Sequence, residues 1–247
     1  MADEENEQSP WTRPGFIAAA VVIALIVVVG VIVTVLNLNR DGSDPAPTST
    51  SQPTDAAPSP EPTGDEGGAS VCGLDGVELS GRLSTAPAAE WAYQDTVAYP
   101  TSSEFGPGQA SPEGVRYCFQ HSPEGALFAA TNAVAQGSDP TIAPAWIEYF
   151  LAESAPNRSQ LVTDVGSGAT SDTRLSVAGF RLLAYDGAAA RVEIAVRGAA
   201  SGQAVYGSVI YNLVWENGDW KLLPKDSSNP LQTTQLPDLS GYITWGE

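Results

Sequence analysis

The sequence predicts an α+β domain tethered to a membrane by one transmembrane helix and a disordered stalk. Three observations predict it. An uncharged apolar run of helical length lies near the N-terminus, a proline-rich acidic stretch follows it, and the remaining chain changes from helical to alternating periodicity partway along. A composition of 43% hydrophobic and 8% aromatic residues supports a packed core. With 11 Lys and Arg against 29 Asp and Glu, the formal net charge is -18. Such a chain repels phosphate backbones, which excludes nucleic acid as a main partner.

Residues 1–14 are an acidic tail, with Asp3, Glu4, Glu5 and Glu7 against Arg13. Residues 15–38 are read as the transmembrane helix. The 23 uncharged residues from Phe16 to Leu38 span about 34 Å as a helix, enough to cross a hydrocarbon core of about 30 Å. A signal peptide has a shorter apolar core and a small-residue cleavage site, whereas Asn39, Arg40 and Asp41 follow this run. Arg13 and Arg40 flank it on opposite sides, so charge barely orients it.

Residues 39–70 read as a stalk. The stretch 41–70 holds six prolines and six acidic residues but no aromatic or long aliphatic side chain, so it cannot bury enough apolar area to offset the entropy of ordering. Its prolines favour a semi-extended spacer.

Residues 71–247 are sized for a single domain and hold every tryptophan except Trp11. Their first fifty residues are rich in Gly, Pro and Ser, with short strands expected around Thr96–Tyr99 and Val115–Phe119. Ser122 as N-cap, Pro123 at the first helical position and Glu124 in the first turn start a helix that Gly137 is expected to end. Leu127, Ala130 and Val134 give it a narrow apolar stripe. A second helix is expected over Pro144–Glu153 and a short third one over Pro156–Val162.

Strands follow. Leu175–Tyr185 leads into a tight turn at Asp186-Gly187, and Ala190, Val192, Ile194 and Val196 then alternate with Arg191, Glu193 and Arg197. A long strand over Ala204–Glu216 meets Asn217-Gly218, the dipeptide favoured in type I′ turns, before a last strand over Asp219–Leu223. The order is three helices and then a four-strand antiparallel meander, with the helices on one face of a curved sheet.

The chain has two cysteines, Cys72 and Cys118, both in this domain. A disulfide between them would close a loop of about 45 residues, worth about 4 kcal/mol in the loop-entropy model. It also suits an oxidising compartment, which puts the domain outside the cell and residues 1–14 inside. Two unpaired buried thiols are the second reading. A metal site is the third and weakest, because His121 is the only histidine available to join them.

His121, just before a helix cap, suits a turn better than a general base. There is no G-x-S-x-G nucleophile motif, and Gly106-Pro-Gly108 and Gly166-Ser-Gly168 lack the helix start and lysine of a phosphate loop. No catalytic residue, cofactor or metal is expected. Trp146 and Tyr149 are a possible interaction surface, although packing between helix and sheet is the favoured reading. Trp215 and Trp220 flank the Asn217-Gly218 turn as an expected cross-strand pair.

Helices first and then a meander ending NLVWENGDWKLLP (212–224) resembles the nuclear transport factor 2-like, cone-shaped α+β fold. An anchor, a stalk and such a domain are similar to the bitopic assembly proteins of conjugative and type IV secretion machines in Gram-positive bacteria. Trp91, Pro100-Thr-Ser102, Gly106-Pro107, SPEGALFAATN (122–132) and GYITWG (241–246) resemble a family of anchored actinobacterial proteins. The resemblance implies a non-enzymatic extracytoplasmic scaffold that binds partner proteins or copies of itself, such as an accessory part of a conjugation or secretion apparatus. A ligand-binding or enzymatic cone displayed on the surface is the alternative. The first fifty residues of the domain depart from the pattern, since the minimal cone does not need them.

Overall fold

The computed structural model describes residues 68–166, 175–200, 203–226 and 229–247. The acidic tail 1–14, the expected span 15–38 and nearly all of the stalk 39–70 lie outside the described residues. No helix among those described is long and apolar enough to cross a membrane.

The described residues form a mixed α+β domain with three helices and antiparallel sheets. Two short hairpins come first: β1 (Glu90–Gln94) with β2 (Val97–Thr101), and β3 (Gln109–Ala110) with β4 (Arg116–Tyr117). Helices α1 (Pro123–Ser138), α2 (Ala143–Phe150) and α3 (Arg158–Gly166) follow. Then comes the meander of β5 (Leu175–Tyr185), β6 (Ala189–Ala200), β7 (Gln203–Glu216) and β8 (Asp219–Leu222), whose strands pair in chain order. Two strands that the sequence reading did not anticipate complete the sheet. β9 (Gln232–Leu236) pairs with β7, and β10 (Ile243–Thr244) pairs with β5.

Helix α1 starts as its sequence dictates, with Ser122 Oγ accepting from the Gly125 N–H at 3.0 Å. It runs past Gly137 to Ser138, because the residue that leaves helical geometry is Asp139 (φ -97, ψ 108). Pro140 follows and disfavours the helical region for its predecessor. Its surface is also buried more completely than the expected stripe: everything from Pro123 to Gln136 except Glu124 is buried. One side meets Val192, Ile194 and Phe180 of the sheet in the common core. The first fifty residues of the domain cover the other side. Asn132 Nδ2 donates to Pro100 O at 2.9 Å, the Arg116 N–H donates to Gln136 Oε1 at 2.7 Å, and Arg116 Nε donates to Asn132 Oδ1 at 2.8 Å. Polar side chains on α1 therefore serve backbone groups of the cover, which has few strand partners of its own.

Helix α2 ends earlier than expected because Leu151 turns extended to bridge Leu222 of β8, and the Ala152 N–H donates to Leu222 O at 2.9 Å. The β5–β6 connection is longer than a two-residue turn and is closed by the side chain of Asp186, whose Oδ1 accepts from the Ala189 N–H at 2.7 Å. Asn217 and Gly218 do adopt the left-handed values of a type I′ turn (φ 55 and 75).

Aromatic rings fill the space between α1 and the sheet. Trp245, from the segment after β10, meets Phe128 at 5.3 Å and Phe180 at 5.5 Å, and Trp91 of β1 closes over it at 5.1 Å. Phe150 of α2 reaches Tyr211 of β7 at 6.4 Å. Burying one such large apolar side chain contributes about 1.5–3 kcal/mol. Gly179 allows the last segment to reach the sheet, since a Cβ there would sit 2.7 Å from Ile243 O.

Candidate functional site

Two ends of the meander carry the polar chemistry, and β6, with 12 residues, separates them by about 40 Å. At the first end the chain enters the domain. The expected disulfide is present: Cys72 and Cys118 are bonded across 46 positions. Val71 N–H donates to Gly218 O at 2.7 Å, and Glu78 N–H donates to His121 O at 2.8 Å. The entering strip thus crosses the β5–β6 and β7–β8 turns.

His121 is fully buried beneath that strip. Its ring stacks on Trp215 at 3.9 Å and meets Trp220 edge-on at 5.6 Å, while Nδ1 and Nε2 face Gly68 O at 3.1 Å and Gly187 O at 2.7 Å. Each ring nitrogen lies against one backbone carbonyl, of the entering strip and of the sheet turn. Trp215 and Trp220 form the anticipated cross-strand pair, with ring centroids 5.2 Å apart.

Asp219 stands beside the disulfide and is 1% exposed. Its Oδ2 accepts from the Cys118 N–H and the Tyr149 hydroxyl, each at 2.8 Å; its Oδ1 accepts from the N–H groups of Phe119 at 2.9 Å and Trp220 at 3.0 Å. Burial pushes this carboxyl above the ordinary aspartate range, opposed by Lys221 and by the donors. Lys221 Nζ lies 3.2 Å from the centre of the Tyr149 ring and donates to Tyr149 O at 3.0 Å. Its burial pushes the ammonium down to about 8.

Trp146 and Tyr149 lie in different surroundings. Trp146 is 5% exposed and stacks on Phe150 at 5.1 Å, so it belongs to the core. Its indole falls on the apolar side of a one-sided helix, and the neighbouring chain closes over it. Tyr149 is half-buried, its hydroxyl committed to Asp219 and its ring to Lys221 and Tyr117. Among the described residues no group of three or more His, Cys, Asp and Glu side chains could hold a metal ion.

At the second end a cleft of about 700 Å³ opens between the β1–β2 turn and the ends of β5, β6 and β7. Its lining includes Tyr93, Asp95, Thr96, Ser176, Arg197 and Glu247. Tyr93 is 60% exposed. Sequence reasoning missed this cluster: Asp95, Arg197 and Glu247 lie far apart in the chain, and each reads alone as a solvated charge. Asp219 was missed for a related reason, since an aspartate that opens a strand after an Asn-Gly turn reads alone as a solvated charge.

A family model described as Domain of unknown function (DUF8175) matches residues 51–244. No curated protein and no solved structure matches the chain.

Proposed function

The chain belongs to that family, and we propose that this member is a membrane-anchored, non-enzymatic interaction domain displayed outside the cell. Residues 15–38 hold it in the membrane, the stalk lifts it away, and its surface binds protein partners or copies of itself. We read the order of helices and meander as a nuclear transport factor 2-like cone, and the whole arrangement as suited to an accessory part of a conjugation or secretion apparatus.

The observation that carries this reading is the aromatic filling between α1 and the sheet. Phe128, Phe180, Phe150, Tyr211 and Trp245 occupy the space in which a ligand-binding cone would hold its ligand. Two interior polar side chains are also committed: Asp219 accepts from four donors, and His121 faces two carbonyls.

The test is photo-crosslinking in intact cells that make the protein, with the crosslinker placed in turn at Leu79, Tyr93 and Leu183, all exposed. Discrete adducts to a protein are expected from at least one position. Absence of protein adducts at all three, together with a thermal shift on adding a small metabolite, would overturn the reading in favour of a ligand-binding cone.

A further inference from the structure

We propose that the cleft at the far end of the sheet docks an extended basic segment of a protein partner. This rests on the interaction reading above and names the surface and the chemistry that it uses. The cleft gathers Asp95, Glu247 and Arg197 in one opening, yet none of these side chains has a hydrogen bond or ion pair among the described residues. Arg181 and Glu193, by contrast, pair on the sheet, and Tyr242 joins them through a hydroxyl donated to Glu193. Among the described lining residues two carboxylates stand against one guanidinium, a net acidic balance, and Tyr93 adds an exposed aromatic ring at the rim.

That combination fits a lysine or arginine side chain between Asp95 and Glu247, in contact with the Tyr93 ring. Arg197 is then available to donate to carbonyls of the bound backbone. Small residues, Ala199 and Ala204 among them, line the same opening and leave room for an extended chain. Charge argues against other occupants. A second copy carries the same net charge of -18 and repels at this face. Position argues against lipid, because the chain enters at Gly68 beside Gly187, at the opposite end of β6.

The test is fluorescence anisotropy with the full chain in detergent micelles and a labelled peptide repeating Lys-Ala. Saturable binding is expected. It should weaken at least tenfold in the double variant Asp95→Asn, Glu247→Gln and strengthen in Arg197→Glu. Removing the same charge at the other end, with Glu78→Gln and Asp186→Asn, should leave it unchanged. Equal loss in both double variants would show attraction to bulk acidity and overturn the proposal. So would a lack of binding, or tighter binding of a Glu-Ala peptide. If the peptide fails while crosslinks form at Leu79 or Leu183, the cleft proposal falls and the interaction reading stands.

Discussion

The backbone N–H of Cys118 donates to the carboxylate of Asp219 at 2.8 Å across 101 positions of sequence. Cys118 holds left-handed backbone geometry there (φ 69), and its sulfur is bonded to Cys72. One residue thus joins the entering strip, the cover over α1 and the turn that begins β8. Asp219 is the acceptor on which this junction converges.

Replacing Asp219 with alanine should therefore cost about 4 kcal/mol, because three backbone N–H groups and the Tyr149 hydroxyl lose a buried partner together. Urea unfolding followed by tryptophan fluorescence measures this. A loss within about 0.5 kcal/mol, the range of an ordinary surface substitution, would show that water replaces the carboxylate and that the junction does not depend on it.

The disulfide makes a separate prediction. The double variant Cys72→Ser, Cys118→Ser should lose about 2–4 kcal/mol, since the open loop regains its unfolded-state entropy. Hydrogen exchange should show the loss mainly in residues 68–120, with β5 to β8 keeping their protection. Uniform loosening of the meander would instead make the bond part of the central core.

His121→Phe preserves a flat ring against Trp215 but leaves Gly68 O and Gly187 O without the imidazole nitrogens. The expected cost is about 1–3 kcal/mol, with faster exchange confined to residues 68–79 and the β5–β6 turn. Unchanged exchange in that strip would mean that the disulfide alone holds it.

Particular residues explain what was readable in advance. Ser122 and Pro123 mark the start of α1 because capping is local chemistry, and Ala190 to Val196 mark β6 because one face meets the core. Asn217-Gly218 marks its turn because few residues accept positive φ at both positions. β9 was not readable, since Gln232, Thr233, Thr234 and Gln235 are polar and their strand exists only through pairing with β7. The full burial of α1 depends on Pro100 and Arg116 of the cover, and no periodicity within the helix reveals that. The cleft is tertiary throughout, assembled from the first hairpin, the meander and the last residue of the chain.

Lys221 makes stability depend on pH. Burial pushes its ammonium down to about 8 in the folded chain, opposed by Asp219, Glu216 and Glu153 and assisted by Arg158. Unfolded, it titrates near the free value of about 10.4. Between those values the unfolded chain holds a proton that the folded chain has released, so stability should rise with pH by about 3 kcal/mol across the window. Below about 8 the cost is fully present. Above about 10 the half-buried Tyr149 and Tyr185 and the buried Tyr211 hydroxyls act the other way, because burial raises them and the unfolded chain loses those protons first. Unfolding free energies from pH 7.5 to 10 should climb in the natural chain and stay flat in Lys221→Met. The same slope in both would place the titration elsewhere.

Protease digestion of intact protoplasts tests the central claim of an outward-facing, anchored domain most directly. With an epitope at each end of the chain, the account predicts that the C-terminal epitope and the domain beyond residue 67 are lost from the cells. The N-terminal epitope should stay on a short protected fragment carrying residues 1–38. A protected C-terminal domain with a digested N-terminal tail would contradict the orientation, and with it the proposal that this surface meets partners outside the cell.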